Sequence, residues 1–132
     1  MRIAAISDDG VHISQHFGRA VYYVVLTVEG GRIADSETRP KAGHQTFAAQ
    51  GHRRLAPGER HGYDAGSQAK HKSMAETIAD CEVLIAGGMG WGAYESLRGH
   101  GIRPIVTDVA VIREAVLRYI DGNLPDLRER LD

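Results

Sequence analysis

The feature of this sequence that most constrains its fold is a run of glycines between an apolar segment and a segment with helical patterning. The apolar residues 83–85 precede glycines at positions 87, 88, 90 and 92, and a helical pattern occupies 93–98. Glycine allows a sharp turn and a close backbone approach, and a helix N-terminus favours anions. The pattern predicts a buried strand, a tight turn and a helix, in which the turn either meets a ligand or serves the fold alone.

The rest of the hydrophobic pattern extends this unit into a single α/β domain over residues 1–132. Five segments rich in β-branched or apolar residues are predicted strands: 2–7, 21–28, 33–38 at an edge, 82–86 and 103–107. Three helices are predicted: one from about residue 67 with Met74, Ile78 and Cys81 on one face, one at 91–98, and one that Asp108 caps and Gly122 ends. This order predicts a mixed five-stranded sheet flanked by helices, with the later strands parallel to the first.

Two segments lack this patterning. Residues 39–66 are rich in Gly, Pro, His, Gln and Arg, and a connection of this length inside a small domain is usually functional or mobile. Residues 123–132 form a charged segment that we expect to be a loosely docked tail. In the predicted topology the glycine turn and the loop after the first strand lie at the carboxyl ends of the parallel strands. Ligands of such sheets favour that rim.

Composition excludes several classes of function. The formal net charge is −1 without a long basic run, so no nucleic-acid partner is expected. No apolar segment approaches the roughly 20 residues that cross a bilayer, and no cleavable signal pattern is present, which predicts a cytoplasmic protein without a membrane partner. Cys81 is the single cysteine, whereas an iron–sulfur cluster usually takes about four cysteine ligands. We expect the Cys81 side chain to be buried by packing. No base–orienter arrangement supports an enzyme.

Histidine is the compositional oddity, with seven in 132 residues. The candidate metal ligands are the histidines expected at the rim or in the long loop: His16, His71, His44, His52 and His61. Three alternatives stay open: His16 hydrogen-bonds the local backbone, His71 is partly buried in a structural role, and the three loop histidines are solvated. Phe17 is expected to pack in the core.

The glycine turn also permits a different interpretation. Gly88, Gly90 and Ala93 match a G-x-G-x-x-A pattern after a strand, and Asp108 follows about 20 residues later, as in dinucleotide-binding proteins. Only one β-α-β unit is available, where two halves are normal. The alternative function is therefore a small-molecule or nucleotide binding module that uses the turn at 87–92 without a metal.

Several motifs together resemble a known family. They are residues 1–10, the His16-Phe17-Gly18 motif, residues 81–108 with the Gly-Gly-Met-Gly-Trp-Gly-Ala turn, and residues 114–124. The chain resembles the dinitrogenase iron–molybdenum cofactor biosynthesis family of NifX, NafY and the carboxyl-terminal part of NifB. The resemblance implies a ribonuclease-H-like fold without nuclease activity. It also implies that the protein binds an iron–sulfur or iron–molybdenum cluster, or its precursor, and hands it on, as in nitrogen fixation. The family's motif histidine corresponds to His16.

Physical chemistry and the resemblance agree on a non-catalytic carrier. A few histidines and backbone amides at a rim would hold a preassembled anionic cluster weakly enough to release it. The predicted cluster-contacting residues besides the histidines are Gly88, Met89, Gly90 and Arg19. We expect Met89 to be exposed at the rim and Arg19 to offset the negative charge of the cluster. The expected partners are cluster donor and acceptor proteins, and a homo-oligomer is compatible with the sequence.

Overall fold

Two apolar strands form the centre of the fold in the computed structural model, which describes residues 1–41 and 73–131. Strand β1 (Arg2–Ser7) is buried at every position except Arg2, and strand β4 (Val83–Ala86) is buried throughout. The two strands pair in parallel. Strands that are covered on both faces read as continuous apolar runs, which is the pattern of both segments.

Three further strands complete a mixed five-stranded sheet: β2 (Tyr22–Glu29), β3 (Arg32–Pro40) and β5 (Arg103–Val106). The strand order is β3-β2-β1-β4-β5; β2 is antiparallel to β1 and β3, whereas β5 is parallel to β4. All five predicted strands are confirmed, with boundaries within two residues. Their directions place the carboxyl ends of β1, β3, β4 and β5 at one edge of the sheet, as the sequence predicts.

The hairpin between β2 and β3 follows from two glycines. Gly30 and Gly31 have φ of 59° and 77°, a conformation that other residues rarely adopt and that suits a tight hairpin. Strand β3 extends beyond the predicted 33–38 because its backbone pairs with β2 from Arg32 to Pro40. Most of its side chains are exposed, so backbone pairing rather than side-chain burial maintains its length.

Helices cover the sheet. They comprise a helical segment at 73–77, α1 (Trp91–Gly99), α2 (Ile112–Ile120) and a short 3₁₀ helix, η1 (Arg128–Arg130). Met74, Ile78 and Cys81 are all buried, which confirms their predicted common face. None of the helices in residues 1–41 and 73–131 is long and apolar enough to cross a membrane.

The predicted cap of the last helix is wrong. Helix α2 begins after Val111, and no side chain caps it. The chain stays non-helical after Asp108 because Val111 forms an antiparallel bridge with His12, which postpones the helix start. The predicted end is confirmed, since Gly122 follows α2 with φ of 77°.

The segment after α2 is docked, which corrects the expectation of a loose tail. The Leu127 N–H donates to the Val106 carbonyl at 2.6 Å, and Asp126 Oδ1 accepts from the Val106 N–H at 3.2 Å. These bonds satisfy the outer edge of β5, which would otherwise expose unpaired backbone groups. Farther along, Leu131 forms a parallel bridge with Met89. The charged composition of the segment gave no sign of these backbone bonds.

One carboxylate ties β3 to the helical segment at 73–77. Arg39 contacts both oxygens of Asp80 at 2.7 and 2.8 Å, and Arg2 contacts the same carboxylate at 3.0 Å. Arg39 also donates to the Thr77 carbonyl at 3.0 Å. The bidentate hydrogen bonds from Arg39 hold the pKa of Asp80 well below its usual range.

Replacing Asp80 with Asn should lower the free energy of unfolding by about 1 kcal/mol near pH 7, a small loss because solvent screens exposed pairs. The Asp80 side chain is 38% exposed. Because folding lowers its pKa, the carboxylate stabilises the protein above its unfolded pKa of about 4 and loses this effect as the pH falls below that value. Urea unfolding from about pH 7 to about pH 3 should therefore show a shrinking difference between the variant and the wild type.

The matched control is Asp108→Asn. Asp108 is exposed and makes no hydrogen bond or ion pair within the described ranges. Its replacement should change the stability by less than roughly 0.5 kcal/mol. Equal losses in the two variants would show that Asp80 acts through general charge and not through Arg39.

Candidate functional site

The loop after β1 is fixed by backbone hydrogen bonds at several points. The Ser14 N–H donates to the Ile6 carbonyl at 2.9 Å, and the Ile13 N–H donates to the Ala110 carbonyl at 2.8 Å. A turn follows, in which the N–H groups of Arg19 and Ala20 donate to the His16 carbonyl at 3.1 and 3.0 Å. The backbone that carries the His16 side chain is therefore held in place by neighbouring strands and loops.

The same loop lies directly against the glycine turn after β4. The Gly87 N–H donates to the Ser14 carbonyl at 2.8 Å, and the Phe17 N–H donates to the Gly88 carbonyl at 3.1 Å. A Cβ atom on Gly88 would stand 2.5 Å from the Gln15 carbonyl oxygen. On Gly87 it would stand 2.8 Å from the Ser14 carbonyl oxygen. The close approach that these glycines permit is therefore used by the protein's own backbone.

An open cleft of about 210 Å³, which we call the rim cleft, lies between this loop and the glycine turn. Its lining is Gln15, His16, Phe17, Gly18, Arg19, Gly88, Met89 and Gly90. The structure thus brings together five of the predicted site residues: His16, Arg19, Gly88, Met89 and Gly90. His44, His52, His61 and His71 lie outside the described residues.

The side chains around the rim cleft differ in exposure. His16 and Arg19 are exposed, and neither side chain makes a hydrogen bond or ion pair within residues 1–41 and 73–131. Phe17 is buried as predicted, and the centroids of the Phe17 and Tyr23 rings are 6.3 Å apart. Lys41 Nζ lies 4.6 Å from the centroid of the Phe17 ring. Packing of Phe17 inward therefore directs its neighbour His16 to the surface side of the loop.

The predicted exposure of Met89 is wrong. Its side chain is only 4% exposed although it lines the rim cleft, because its backbone pairs with Leu131 of the docked tail. The prediction that the turn offers its N–H donors to a ligand also needs correction at Gly87, whose N–H is used by Ser14. Neither contact could be predicted from local sequence, since each joins residues that are far apart in the chain.

The single cysteine is separated from the rim cleft along the central strand. Cys81 is buried as expected and stands before the start of β4, whereas the glycine turn follows its end. Burial, followed by the nearby Asp80 charge, raises the pKa of Cys81 to about 12. The thiol is therefore protonated at neutral pH, whereas the thiolate is the form that ligates metals.

A second histidine of the same loop has a carboxylate partner. Asp9 accepts the backbone N–H groups of Val11 and His12, each at 2.8 Å, and lies 2.6 Å from His12 Nδ1. The hydrogen bonds from His12 and then Val11 hold the pKa of Asp9 well below its usual range. In the described part of the chain, however, no three His, Cys, Asp or Glu side chains group closely enough to hold a metal ion.

Sequence reasoning missed one lining residue of the rim cleft and two tail residues that contact the glycine turn. Gln15 supplies its backbone and side chain, Arg130 donates from Nη1 to the Gly87 carbonyl at 3.4 Å, and Leu131 pairs with Met89. Gln15 is adjacent to the motif at 16–18, so its place in the cleft followed from that position. The other two residues belong to the tail, which has no recognisable pattern.

The fold and the site define a class of protein: an α/β domain with a mixed sheet and a candidate binding cleft at the carboxyl ends of its central strands. The chain belongs to the dinitrogenase iron–molybdenum cofactor family, whose model matches residues 1–122. The resemblance seen in the sequence is therefore confirmed. No curated protein matches the chain.

Solved structures share this fold across nearly the whole chain. The apo form of the orange protein from Desulfovibrio gigas is 24% identical, with 95% of this chain and 91% of that chain covered and a TM-score of 0.67. A provisionally named NifB protein from Thermotoga is 21% identical, with coverage of 96% and 92% and a TM-score of 0.60. A provisionally named dinitrogenase from Methanocaldococcus jannaschii is 10% identical, with coverage of 96% and 94% and a TM-score of 0.62. At these identities the likeness shows the fold alone.

Replacing Gly88 with Ala should lower the free energy of unfolding by about 2 kcal/mol, because overpacking against backbone forces the loop away. The obstacle is the Gln15 carbonyl oxygen, which belongs to the backbone and cannot move aside as the end of a flexible side chain could. Urea unfolding of the variant and the wild type measures the loss directly.

Gly90→Ala is the control from the same turn. A Cβ atom on Gly90 would meet nothing within 4 Å, and its φ of −82° suits any residue. Gly90 is the N-cap residue of α1. Its replacement should lower the free energy of unfolding by less than about 1 kcal/mol, the size of a helix N-cap preference. Similar stabilities of the two variants would contradict the close contact between the loop and the turn.

Proposed function

We propose that this protein carries an iron–sulfur or iron–molybdenum type cluster, or a precursor of one, and binds it at the rim cleft without catalysing a reaction. The observation that carries the proposal is the convergence of His16, Arg19 and the glycine turn on one cleft. The family supplies the class of cargo, since its model describes the dinitrogenase iron–molybdenum cofactor. We also propose the ribonuclease-H-like label for the fold, which the strand order β3-β2-β1-β4-β5 supports.

His16 is the proposed first ligand of the cargo. Its imidazole is exposed at the cleft on a backbone that the turn hydrogen bonds hold, and a neutral imidazole nitrogen is a common metal ligand. Met89 also lines the cleft, but it is only 4% exposed, which leaves little of the residue available to a cargo. His44, His52, His61 and His71 stay predicted additional ligands.

Arg19 is proposed to offset the charge of an anionic cargo. Its exposed guanidinium makes no ion pair inside the described ranges, so its donors face solvent at the cleft. Guanidinium groups form strong charge-assisted hydrogen bonds to anions. An open cleft with one histidine and one arginine would bind such a cargo reversibly, which suits transfer from a donor protein to an acceptor protein. These partners and a cytoplasmic location stay predictions.

Replacing His16 with Ala should weaken cluster uptake about tenfold or more, the equivalent of at least about 1.4 kcal/mol of binding free energy. The test is an anaerobic titration of the purified protein with a preformed iron–sulfur cluster and with extracted iron–molybdenum cofactor. Visible absorbance, paramagnetic resonance and metal content report uptake. Quenching of Trp91, the single tryptophan, gives a further signal beside Gly90 of the cleft.

The matched control is His100→Ala. His100 is exposed, follows α1, has its Nδ1 2.8 Å from the Ser96 carbonyl oxygen and does not line the rim cleft. Both variants should keep the melting temperature, since an exposed side chain contributes less than roughly 0.5 kcal/mol. Uptake that fails only in His16→Ala supports the proposal, whereas equal uptake by the two variants excludes His16 as a ligand. If neither cargo binds the wild type and adenine nucleotides protect it, the chain is a nucleotide binding module instead.

A further inference from the structure

We propose that a second cleft, between the end of α1, the start of β5 and η1, binds a small oxyanion that carries more than one negative charge. This arginine cleft has a volume of about 360 Å³ and is lined by Arg98, Arg103 and Arg128 together with Tyr94. It shares no lining residue with the rim cleft. The proposal therefore does not depend on the proposed function.

The arginine cleft has an excess of positive charge. Arg128 contacts Asp126 at 3.5 Å, whereas Arg98 and Arg103 make no ion pair inside residues 1–41 and 73–131. The three arginines of the cleft lining therefore have one carboxylate contact among them in the described part of the chain. Like charges that share a cleft destabilise a fold through mutual repulsion, and a bound anion removes that cost. Guanidinium groups also offer paired N–H donors that match the oxygens of phosphate and carboxylate groups.

The three arginines come from separate elements that are each held in place. Arg98 is in the last turn of α1, where its Nη1 lies 3.4 Å from the hydroxyl of the buried Tyr94 and its guanidinium packs 5.8 Å from that ring. The Arg103 N–H donates to the Glu82 carbonyl at 2.9 Å at the start of β5. Arg128 follows Leu127, whose backbone bond to β5 docks the tail. A preorganised backbone lowers the entropic cost of binding.

A cluster of exposed arginines is often only a solvated surface, so the test must separate a site from a general field. The full chain, without a cluster, is titrated calorimetrically with pyrophosphate and, separately, with citrate. Ionic strength is held at about 0.15 M, where charges farther apart than roughly 8 Å are screened. We expect saturable binding of one anion per chain, which raises the melting temperature by linkage. The anion that binds more tightly shows whether the arginine cleft prefers phosphate or carboxylate groups.

Arg98→Gln and Arg103→Gln should each weaken anion binding about tenfold, since each removes a charge-assisted hydrogen bond. Arg113→Gln is the matched control, because Arg113 is exposed on α2 and lines neither cleft. It removes the same charge and should leave the affinity unchanged. His16→Ala should also bind the anion normally.

Three outcomes would overturn the proposal. The first is the absence of saturable binding by both anions. The second is an equal loss of affinity in Arg113→Gln, which would indicate a general electrostatic field. The third is the loss of anion binding in His16→Ala, which would place the anion in the rim cleft. Failure of cluster uptake alone leaves the arginine cleft unaffected and counts only against the proposed carrier function.

Discussion

The rim cleft depends on a contact between two backbones that leaves no space for a side chain. Gly87 and Gly88 meet Ser14 and Gln15 so closely that a Cβ atom on either glycine would overlap them. Two hydrogen bonds, from Gly87 to Ser14 and from Phe17 to Gly88, then align the loop after β1 with the turn after β4. These glycines therefore bring the loop to the turn, and the chemistry of the cleft belongs to the side chains that this contact positions.

The strands could be predicted from the sequence because their burial follows from local composition. Strands β1 and β4 are short apolar runs, and such runs fit only the covered centre of a sheet. Features that depend on distant contacts were missed or wrong. The start of α2 is set by a bridge from Val111 to His12, and the tail is fixed by bonds to Val106. The sequence around the start of α2 does not indicate the bridge to His12, and the sequence of the tail does not indicate its bonds to Val106.

The candidate site shows the same division. Topology alone placed the motif at 16–18 and the turn at 87–92 on one rim, because both follow strands that are parallel in the sheet. The burial of Met89 and the use of the Gly87 N–H depend on packing partners, so periodicity could not show them. Histidine content directed attention to His44, His52, His61 and His71, which lie outside the described residues. Of the candidate metal ligands, the described structure therefore places only His16.

The tail links the rim cleft to the arginine cleft. The family match ends at residue 122, yet Arg128 lines the arginine cleft and Arg130 reaches the Gly87 carbonyl at 3.4 Å. Leu131 also bridges Met89, which lines the rim cleft. Helix α1 makes a second connection between the two clefts. Its Trp91, next to Gly90 of the rim cleft, packs edge-on against Tyr94 of the arginine cleft, with ring centroids 5.6 Å apart. Because the tail contacts Gly87 and Met89 directly, its docking helps to set the shape of the rim cleft, and residues outside the family match therefore contribute to this chain's candidate site.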